Sequence, residues 1–241
     1  MEPIDMVLLT IVGIGAGFVQ RVSGFGLGIF AMLFLPHFLP DHTAAATIVG
    51  ICSVVTSTMN AVKYRKDINY KIVLPLLLAA AVSIPVAVYF SAKVSKGMFE
   101  ILLGSVLIAL SIYFLFFNKS VKLKASNLGG AIAGTLSGVL NGLFSTGGPP
   151  VVLYLANVSV SNAAYFAGIQ FYFSLTNIYA TVMRAVQGLI TLDVLLLSLF
   201  GLFGCVVGDF LGKRVFEKLD GEKLKKVIYI GMILSGIVMI I

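Results

Sequence analysis

Charged residues are scarce in this sequence. They make up 11% of its 241 residues and hydrophobic residues make up 59%, whereas soluble domains contain about 25% charged residues. Too few polar side chains are available to cover a surface that faces water, which excludes a soluble enzyme or a soluble binding module. Stretches of about 20 residues with almost no charge have the length at which a helix crosses the hydrocarbon of a bilayer. They predict transmembrane helices over 43–62, 72–90, 98–117, 162–183 and 192–212.

Residues that bind metals or form disulfides are few as well. The two cysteines, Cys52 and Cys205, each lie inside an apolar stretch, and the two histidines, His37 and His42, flank a proline-rich turn without a third ligand nearby. Isolated cysteines in apolar surroundings are typically small core residues, and zinc needs at least three protein ligands. We therefore predict no metal, no cofactor and no disulfide, and we expect both histidines in loops at the outer surface.

The pattern of a cleaved signal peptide is also missing. The first apolar run, 6–19, follows Glu2 and Asp5, where a signal peptide carries basic residues. No small-residue cleavage pattern follows the run. We therefore expect this segment to remain in the mature protein.

The formal net charge of +7 is concentrated in three short loops. Nucleic-acid binding requires a basic patch on a soluble face, so no nucleic-acid partner is expected. Basic loops between transmembrane helices mark the cytoplasmic side. The loops at 63–71, 119–124 and 213–226 are therefore predicted to be cytoplasmic, in a multi-pass protein of the cell inner (cytoplasmic) membrane whose N-terminus and C-terminus lie outside.

The positions of these loops predict two inverted repeats. Three long apolar stretches after residue 124 would put the last basic loop outside, so the short apolar segment 149–158 must reverse the chain as a re-entrant or broken helix. The opening segments 6–19 and 25–38 are short in the same way. Each half then contains five segments, an odd number, and two such repeats have opposite orientations.

The predicted fold is an all-α polytopic membrane protein. It has about eight long and short transmembrane helices plus re-entrant or broken segments, up to ten in total, in one integral membrane domain. The first repeat covers 1–120 and the second covers 121–241. Residues 17–26 align with 138–147, which places Gln20 opposite Asn141.

The two breaks, 20–28 and 141–150, are the candidate substrate-binding regions. Backbone without helical hydrogen bonds is tolerated at membrane depth only where it is buried in protein or lines a watery cavity. Pro149 and Pro150 suit a first helical turn, whose free N–H groups and positive dipole end favour an anion. Hydroxyl and amide donors surround both breaks, which gives these candidates: Gln20, Arg21, Ser23, Gly24, Gly26, Asn141, Ser145, Thr146, Gly147 and Gly148.

Several polar residues and glycines have alternative interpretations. A guanidinium such as that of Arg21 matches the planar oxygens of an anion, but it could equally mark a cytoplasmic-facing end. Asp209 precedes Lys213 by four residues, which predicts an ion pair. We expect Gly204, Gly208 and Gly212 to serve close helix packing. Further candidates for lining the pathway are Asn60, Asn177 and Arg184.

The two breaks resemble a known family. The stretches GFVQRVSGFGLGIFAMLFLP (17–36) and GVLNGLFSTGGPPVVLYL (138–155) are similar to the two glycine-rich repeats of the TauE/SafE sulfite exporter family, also called 4-toluene sulfonate uptake permeases. The resemblance implies a carrier for sulfite, sulfonates or related small organic anions. By position, the family's glycine-rich motifs correspond to Gly24, Gly26, Gly147 and Gly148 here.

We expect a secondary transporter that works by alternating access, and no enzyme activity. The alternatives are a membrane-embedded enzyme that acts on a lipid phosphate and a passive anion channel. The expected partners are a small anionic substrate and membrane lipid. A homodimer and a coupling ion, proton or sodium, remain open alternatives.

Overall fold

The computed structural model describes residues 3–39, 41–117, 124–216 and 221–241, and all regular structure within them is helical. Lys119, Lys122 and Lys218 of the basic loops lie outside the described residues, as does Pro40. The α-helices are α1 (Pro3–Ser23), α2 (Leu27–Met32), α3 (Leu35–Phe38), α4 (His42–Lys63), α5 (Tyr70–Ser91), α6 (Lys96–Ile112), α7 (Asn127–Phe144), α8 (Gly148–Val158), α9 (Asn162–Val186), α10 (Leu192–Phe216) and α11 (Gly221–Ile240).

Side-chain caps fix the start of four helices. Asp41, Ser95, Ser126 and Ser161 each precede a helix and accept a hydrogen bond, 2.8–3.4 Å long, from a backbone N–H two or three residues further on. These caps satisfy N–H groups that have no partner within the helix. The helices α4, α6, α7 and α9 therefore begin where short polar side chains precede the apolar runs.

Five of the described helices are long and apolar enough to cross a membrane, namely residues Ile4–Ser23, His42–Lys63, Tyr70–Ser91, Lys96–Phe116 and Leu192–Lys213. Large apolar side chains also point away from the bundle, and Val82 on α5 is 73% exposed. In a protein that spans a bilayer, such side chains face lipid. The prediction of an all-α polytopic membrane protein is confirmed.

One prediction about helix length is wrong. The segment 6–19 was expected to be short, but α1 has 21 residues and α7, its counterpart in the second half, has 18. Only α2, α3 and α8 are short. They fold back along the preceding helix: a Cβ on Gly15 of α1 would lie 2.3 Å from the Phe30 ring, and the Tyr154 hydroxyl of α8 donates to the Ser126 carbonyl at the start of α7 at 2.8 Å.

Small residues let α1 and α7 pack closely against helices from the other half of the chain. A Cβ on Gly17 of α1 would lie 2.1 Å from the Cys205 carbonyl of α10, and one on Gly134 of α7 would lie 2.2 Å from the Leu76 carbonyl of α5. A Cβ on Gly204 or Gly208 would likewise lie 2.3 or 2.0 Å from the α1 backbone. A Cβ on Gly212 would lie 2.9 Å from the Arg21 side chain. Close packing is therefore the role of these glycines, as predicted.

The packing pattern is the same when the two halves are exchanged. When α2 and α3 are counted as one segment, the first helix of each half packs against the fourth helix of the other, as α1 with α10 and α7 with α5. The third helices α4 and α9 pack against each other, and so do the last helices α6 and α11. Two interlocked repeats would give this pattern, although the repeat boundaries 1–120 and 121–241 stay a prediction.

The bundle has two distinguishable ends. At the basic end, defined by residues 63–71 and 159–162, the Tyr64 and Phe166 rings lie 5.0 Å apart. At the opposite end, defined by residues 41–42 and 91–99, His42 stacks on Phe99 at 4.4 Å and approaches the Ser91 carbonyl at 3.3 Å. His42 was predicted in a loop, but it is the first residue of α4 and its side chain is only 12% exposed.

Candidate functional site

A small cavity lies where the two breaks meet. Its volume is about 30 Å³, which is enough space to hold water. This central cavity is lined by Gln20, Gly26, Leu27, Gly28, Ile29, Ser53, Ser57, Asn141, Ser145, Thr146, Gly147, Gly148, Phe173 and Asn177. It therefore brings together seven of the ten first-choice candidates, with Asn177 from the second group.

The two breaks begin with the same backbone geometry. The Gly24 N–H donates to the Gln20 carbonyl at 2.8 Å and the Ser145 N–H donates to the Asn141 carbonyl at 2.9 Å. Gly24 has φ +79° and Ser145 has φ +55°, both in the left-handed region that ends a helix. Two residues later in each break, a glycine precedes the short helix, but its φ is +109° at Gly26 and −67° at Gly147. The aligned positions therefore fold alike where the long helix ends and differ where the short helix begins.

The breaks also touch each other directly. A Cβ on Gly28, at the start of α2, would lie 2.0 Å from the Ser145 carbonyl, so only glycine permits this approach. Gly147 is held in a similar way from within the second half, since its carbonyl accepts a hydrogen bond from the Ser137 hydroxyl. A Cβ on Gly147 would lie 2.6 Å from the Ser137 carbonyl. The backbone itself thus forms much of the cavity wall.

Unused polar atoms surround the central cavity. Asn141 and Thr146 are each 3% exposed, and neither Asn141 Nδ2 nor Thr146 Oγ1 has a hydrogen-bond partner. Buried polar groups are normally paired, so these two groups are available to a ligand. Gly147 and Gly148 lie at the N-terminus of α8, where the helix dipole favours negative charge. Of the described residues that line the cavity, none is acidic.

Six lining residues are not among the sequence candidates, two of them polar, and one candidate lies elsewhere. Ser53 and Ser57 of α4 line the cavity, as Phe173 and Asn177 do from α9. Their signal is a four-residue spacing that puts both serines on one helix face. Asn60 does not line the cavity, because its amide donates to the Thr56 carbonyl on its own helix at 3.1 Å.

Arg21 lies outside the central cavity. Its guanidinium pairs with Asp209 at 3.9 Å, and the two side chains are 19% and 42% exposed. Asp209 therefore pairs across α1 and α10, and the predicted pair with Lys213 is wrong. The close packing of α1 on α10 brings this arginine and aspartate together.

Ser23 and Gly24 also lie outside the central cavity. The Ser23 hydroxyl donates to the Val19 carbonyl at 2.7 Å, within its own helix. The Gly24 carbonyl accepts a hydrogen bond from Gln170 Nε2 at 2.8 Å. Gly24 thus shapes the turn of the first break and leaves the lining to its neighbour Gly26.

A larger cavity, the vestibule, lies next to the central one. Its volume is about 420 Å³ and it is lined by Ser23, Phe25, Phe114, Val152, Ala156, Ser159, Val160, Ser161, Asn162 and Tyr165. Ser159–Asn162 belong to the basic end. Phe25 separates the two cavities, because it lines the vestibule and its ring would lie 3.3 Å from a Cβ on Gly148 of the central cavity. Towards the opposite end, Phe144 is 1% exposed and packs on Phe99 at 5.0 Å.

Arg184 of α9 lies close behind the second break. It is 1% exposed, and its Nη2 donates to the carbonyls of Asn141 and Gly142, each at 3.0 Å. It does not line the central cavity, but it contacts the backbone of Asn141, which does. Arg184 is therefore a buried cation next to the central cavity, and its role in the pathway stays a prediction.

A family model described as Sulfite exporter TauE/SafE matches residues 9–239. The match covers both breaks and the helices between them, and it confirms the resemblance of the two glycine-rich stretches. No curated protein and no solved structure matches the chain.

Proposed function

Because the chain belongs to the TauE/SafE sulfite exporter family, a family of membrane transporters, we propose that it carries a small sulfur-containing or organic anion across the cytoplasmic membrane. The observation that carries this proposal is the central cavity between two broken helices, with unpaired donors on its wall. Broken helices that meet at one cavity are typical of secondary transporters. The proposed substrate site consists of Gln20, Gly26, Asn141, Ser145, Thr146, Gly147, Gly148 and Asn177.

The chemistry of the site favours an anion. Asn141 Nδ2 and Thr146 Oγ1 are free to donate hydrogen bonds. The N-terminus of α8 adds partial positive charge, and the Arg184 guanidinium lies one residue layer behind. A cation would need acceptors and negative charge, whereas the described lining residues contain no carboxylate.

The two cavities support alternating access. The vestibule leads from the basic end to Phe25, and buried Phe144 and Phe99 pack between the central cavity and the opposite end. By the positive-inside rule the basic end is cytoplasmic, so this arrangement corresponds to an inward-facing state with the site closed. An anion that enters from the vestibule must pass Phe25, so binding requires a movement of Phe25 and the adjacent backbone.

The alternatives receive less support from the site. Hydrolysis of a lipid phosphate needs a general base that activates water or a serine hydroxyl, and the described residues that line the central cavity include no carboxylate, imidazole or thiol that could act as this base. A passive channel needs a continuous pore, whereas Phe25 separates the central cavity from the vestibule.

Transport in reconstituted liposomes tests the proposal. Sulfite, sulfate, thiosulfate, methanesulfonate and acetate would each be offered outside liposomes that contain the purified protein. We expect saturable uptake of at least one sulfur-containing anion, and acceleration when the same anion is present inside, because a carrier exchanges faster than it returns empty. Asn141→Leu should abolish this uptake while the protein keeps its melting temperature in detergent.

The outcomes are distinct. Saturable, exchange-accelerated uptake supports the carrier. Uptake without exchange acceleration would make the protein a channel. A folded protein that moves none of these anions would overturn the proposal, and binding would then be sought among neutral or cationic solutes by thermal stabilisation.

A further inference from the structure

Arg184 holds a buried positive charge that the central cavity does not account for. The residue is 1% exposed, and no ion pair links it to an acidic side chain of the described residues. An unpaired charge in a protein interior is costly. Such residues within membrane domains usually mark a substrate or ion pathway.

Half of the guanidinium has a structural role. Nη2 donates to the carbonyls of Asn141 and Gly142, each at 3.0 Å, and these carbonyls belong to the last turn of α7. A cation at this place compensates the negative end of the helix dipole. The same contact positions Asn141, whose side chain faces the central cavity.

The other half has no partner. Arg184 Nη1 and the neighbouring Thr181 Oγ1 are both buried and make no hydrogen bond. They converge on Gly50 of α4: a Cβ there would lie 3.0 Å from Arg184 Nη1, 3.6 Å from Thr181 Oγ1 and 3.3 Å from Ser145 Oγ. The missing side chain of Gly50 leaves only a narrow gap, about the size of a methyl group, in front of Arg184 Nη1 and the Thr181 hydroxyl, so an anion enters it only when the neighbouring helices move apart. The Ser145 hydroxyl is already used, since it donates to the Ala46 carbonyl at 2.7 Å.

We propose that Arg184 and Thr181 form a second oxyanion site, distinct from the central cavity, which the substrate occupies on its way to the opposite end. Ser145 lies between the two sites, since it also lines the central cavity. Arg184 lies two residues before the end of α9, and Gly50 lies in the half of α4 that begins at the opposite end. The two donors, one guanidinium nitrogen and one hydroxyl, suit an anion with several oxygens. The inference rests on the proposed function.

This second site explains an asymmetry of the molecule. The vestibule offers the anion a wide path from the basic end, whereas towards the opposite end the central cavity is closed by buried side chains. When these side chains separate, Arg184 Nη1 would donate hydrogen bonds to the anion in place of water as the anion leaves. The released arginine charge would again be partly compensated by the α7 carbonyls.

Gly50→Ala tests the proposal without touching Arg184 itself. The added methyl group fills the space in front of Nη1 and leaves the two bonds from Nη2 in place. We expect initial uptake of the transported sulfur anion in liposomes to fall about tenfold, with a melting temperature close to that of wild type. The matched control is Gly201→Ala, whose Cβ would meet Cys52 Sγ at 3.3 Å on the other face of α4; it should transport normally.

Thr181→Val tests the same site if Gly50→Ala does not fold. It removes one hydroxyl with almost no change of volume, and we expect uptake to fall about fivefold. Arg184→Lys keeps the charge but loses the fork that serves both α7 and the anion. We expect a clear rise in the apparent KM and only a small fall in the melting temperature.

Each result can be assigned. Normal transport by both Gly50→Ala and Thr181→Val would restrict Arg184 to capping α7 and overturn the second site, with the proposed function intact. A wild-type protein that transports no anion would instead overturn the proposed function and, with it, this site.

Discussion

The two breaks end their long helices with the same backbone turn and differ in their side chains. In both, a residue with positive φ ends a long helix and a glycine two positions later begins a short one. At the position between these two residues, the first break has Phe25 and the second break has Thr146. Phe25 closes the vestibule, whereas Thr146 presents an unpaired hydroxyl to the central cavity.

The difference indicates a division of roles between two halves that fold alike. The second half supplies most of the anion-binding groups: the Asn141 amide, the Thr146 hydroxyl and the α8 N-terminus. The first half supplies the apolar barrier and the glycine, Gly28, on which the second break rests. Under the proposed function, two similar helix breaks would thus have different roles, with the barrier in the first and most of the binding groups in the second.

Gly147→Val should have the largest effect on the second break. A Cβ would lie 2.6 Å from the Ser137 carbonyl and 2.8 Å from Asn141 Cβ, and neither backbone can move far. Overpacking of this kind costs about 1–3 kcal/mol, and we expect uptake in liposomes to become undetectable while the protein still purifies as a single species.

Gly148→Val is the matched control for this change. Its Cβ would lie 3.3 Å from the Phe25 ring and 3.6 Å from the Phe173 ring, and both side chains can rotate away. We expect partial transport. Wild-type uptake by Gly147→Val would show that the two glycines do not define the site.

Phe25→Thr gives the first break the residue of the second and tests whether the aromatic ring is the barrier. The vestibule and the central cavity would then join, and the anion could pass without a conformational change whenever the opposite end is open. We expect the acceleration of uptake by internal anion to fall about fivefold, because a leak does not depend on exchange. The measurement is the ratio of exchange to net uptake.

Phe34→Ala is the control for the loss of an aromatic ring. Phe34 also lies in the first half but is 43% exposed, at the end of α2. Its ratio of exchange to net uptake should match wild type. An unchanged ratio in Phe25→Thr would place the barrier elsewhere.

Thr146→Val should have a smaller effect, confined to affinity. It removes the unpaired hydroxyl and keeps the side-chain volume. A hydrogen bond to a charged group contributes about 1.5–3 kcal/mol, so we expect the KM for the anion to rise at least about tenfold with the melting temperature unchanged. Gln20→Leu in the first break should raise the KM less if the second half binds most of the anion.

Much of the fold could be predicted from the sequence because the bilayer imposes helix length. Apolar runs of 20 residues, caps such as Asp41 and Ser161, and the odd number of segments per half each follow from local chemistry. The length of α1 could not be predicted, since its glycines suggest a break until their contact with α10 is known. Helix packing alone makes Gly13 and Gly17 compatible with a continuous helix.

The candidate site shows the same limit. Irregular backbone at membrane depth predicted Gly26, Ser145, Thr146 and Gly147 correctly as neighbours, because such backbone must line a cavity. The contribution of Ser53 and Ser57 depends on which face of α4 points inward, which is a tertiary property. The roles of the two arginines depend on their partners, and the partner of each comes from a distant part of the chain.

Arg21→Gln should have the smallest effect, and it separates the two arginines. Arg21 is partly exposed and pairs with Asp209 at 3.9 Å, and such pairs contribute about 0–1 kcal/mol. We expect uptake and KM within about twofold of wild type, whereas the comparable change at buried Arg184 should impair both transport and stability. A strong loss of anion affinity in Arg21→Gln would move the first anion contact to the α1–α10 side of the first break, and the division of roles between the two halves would then be wrong.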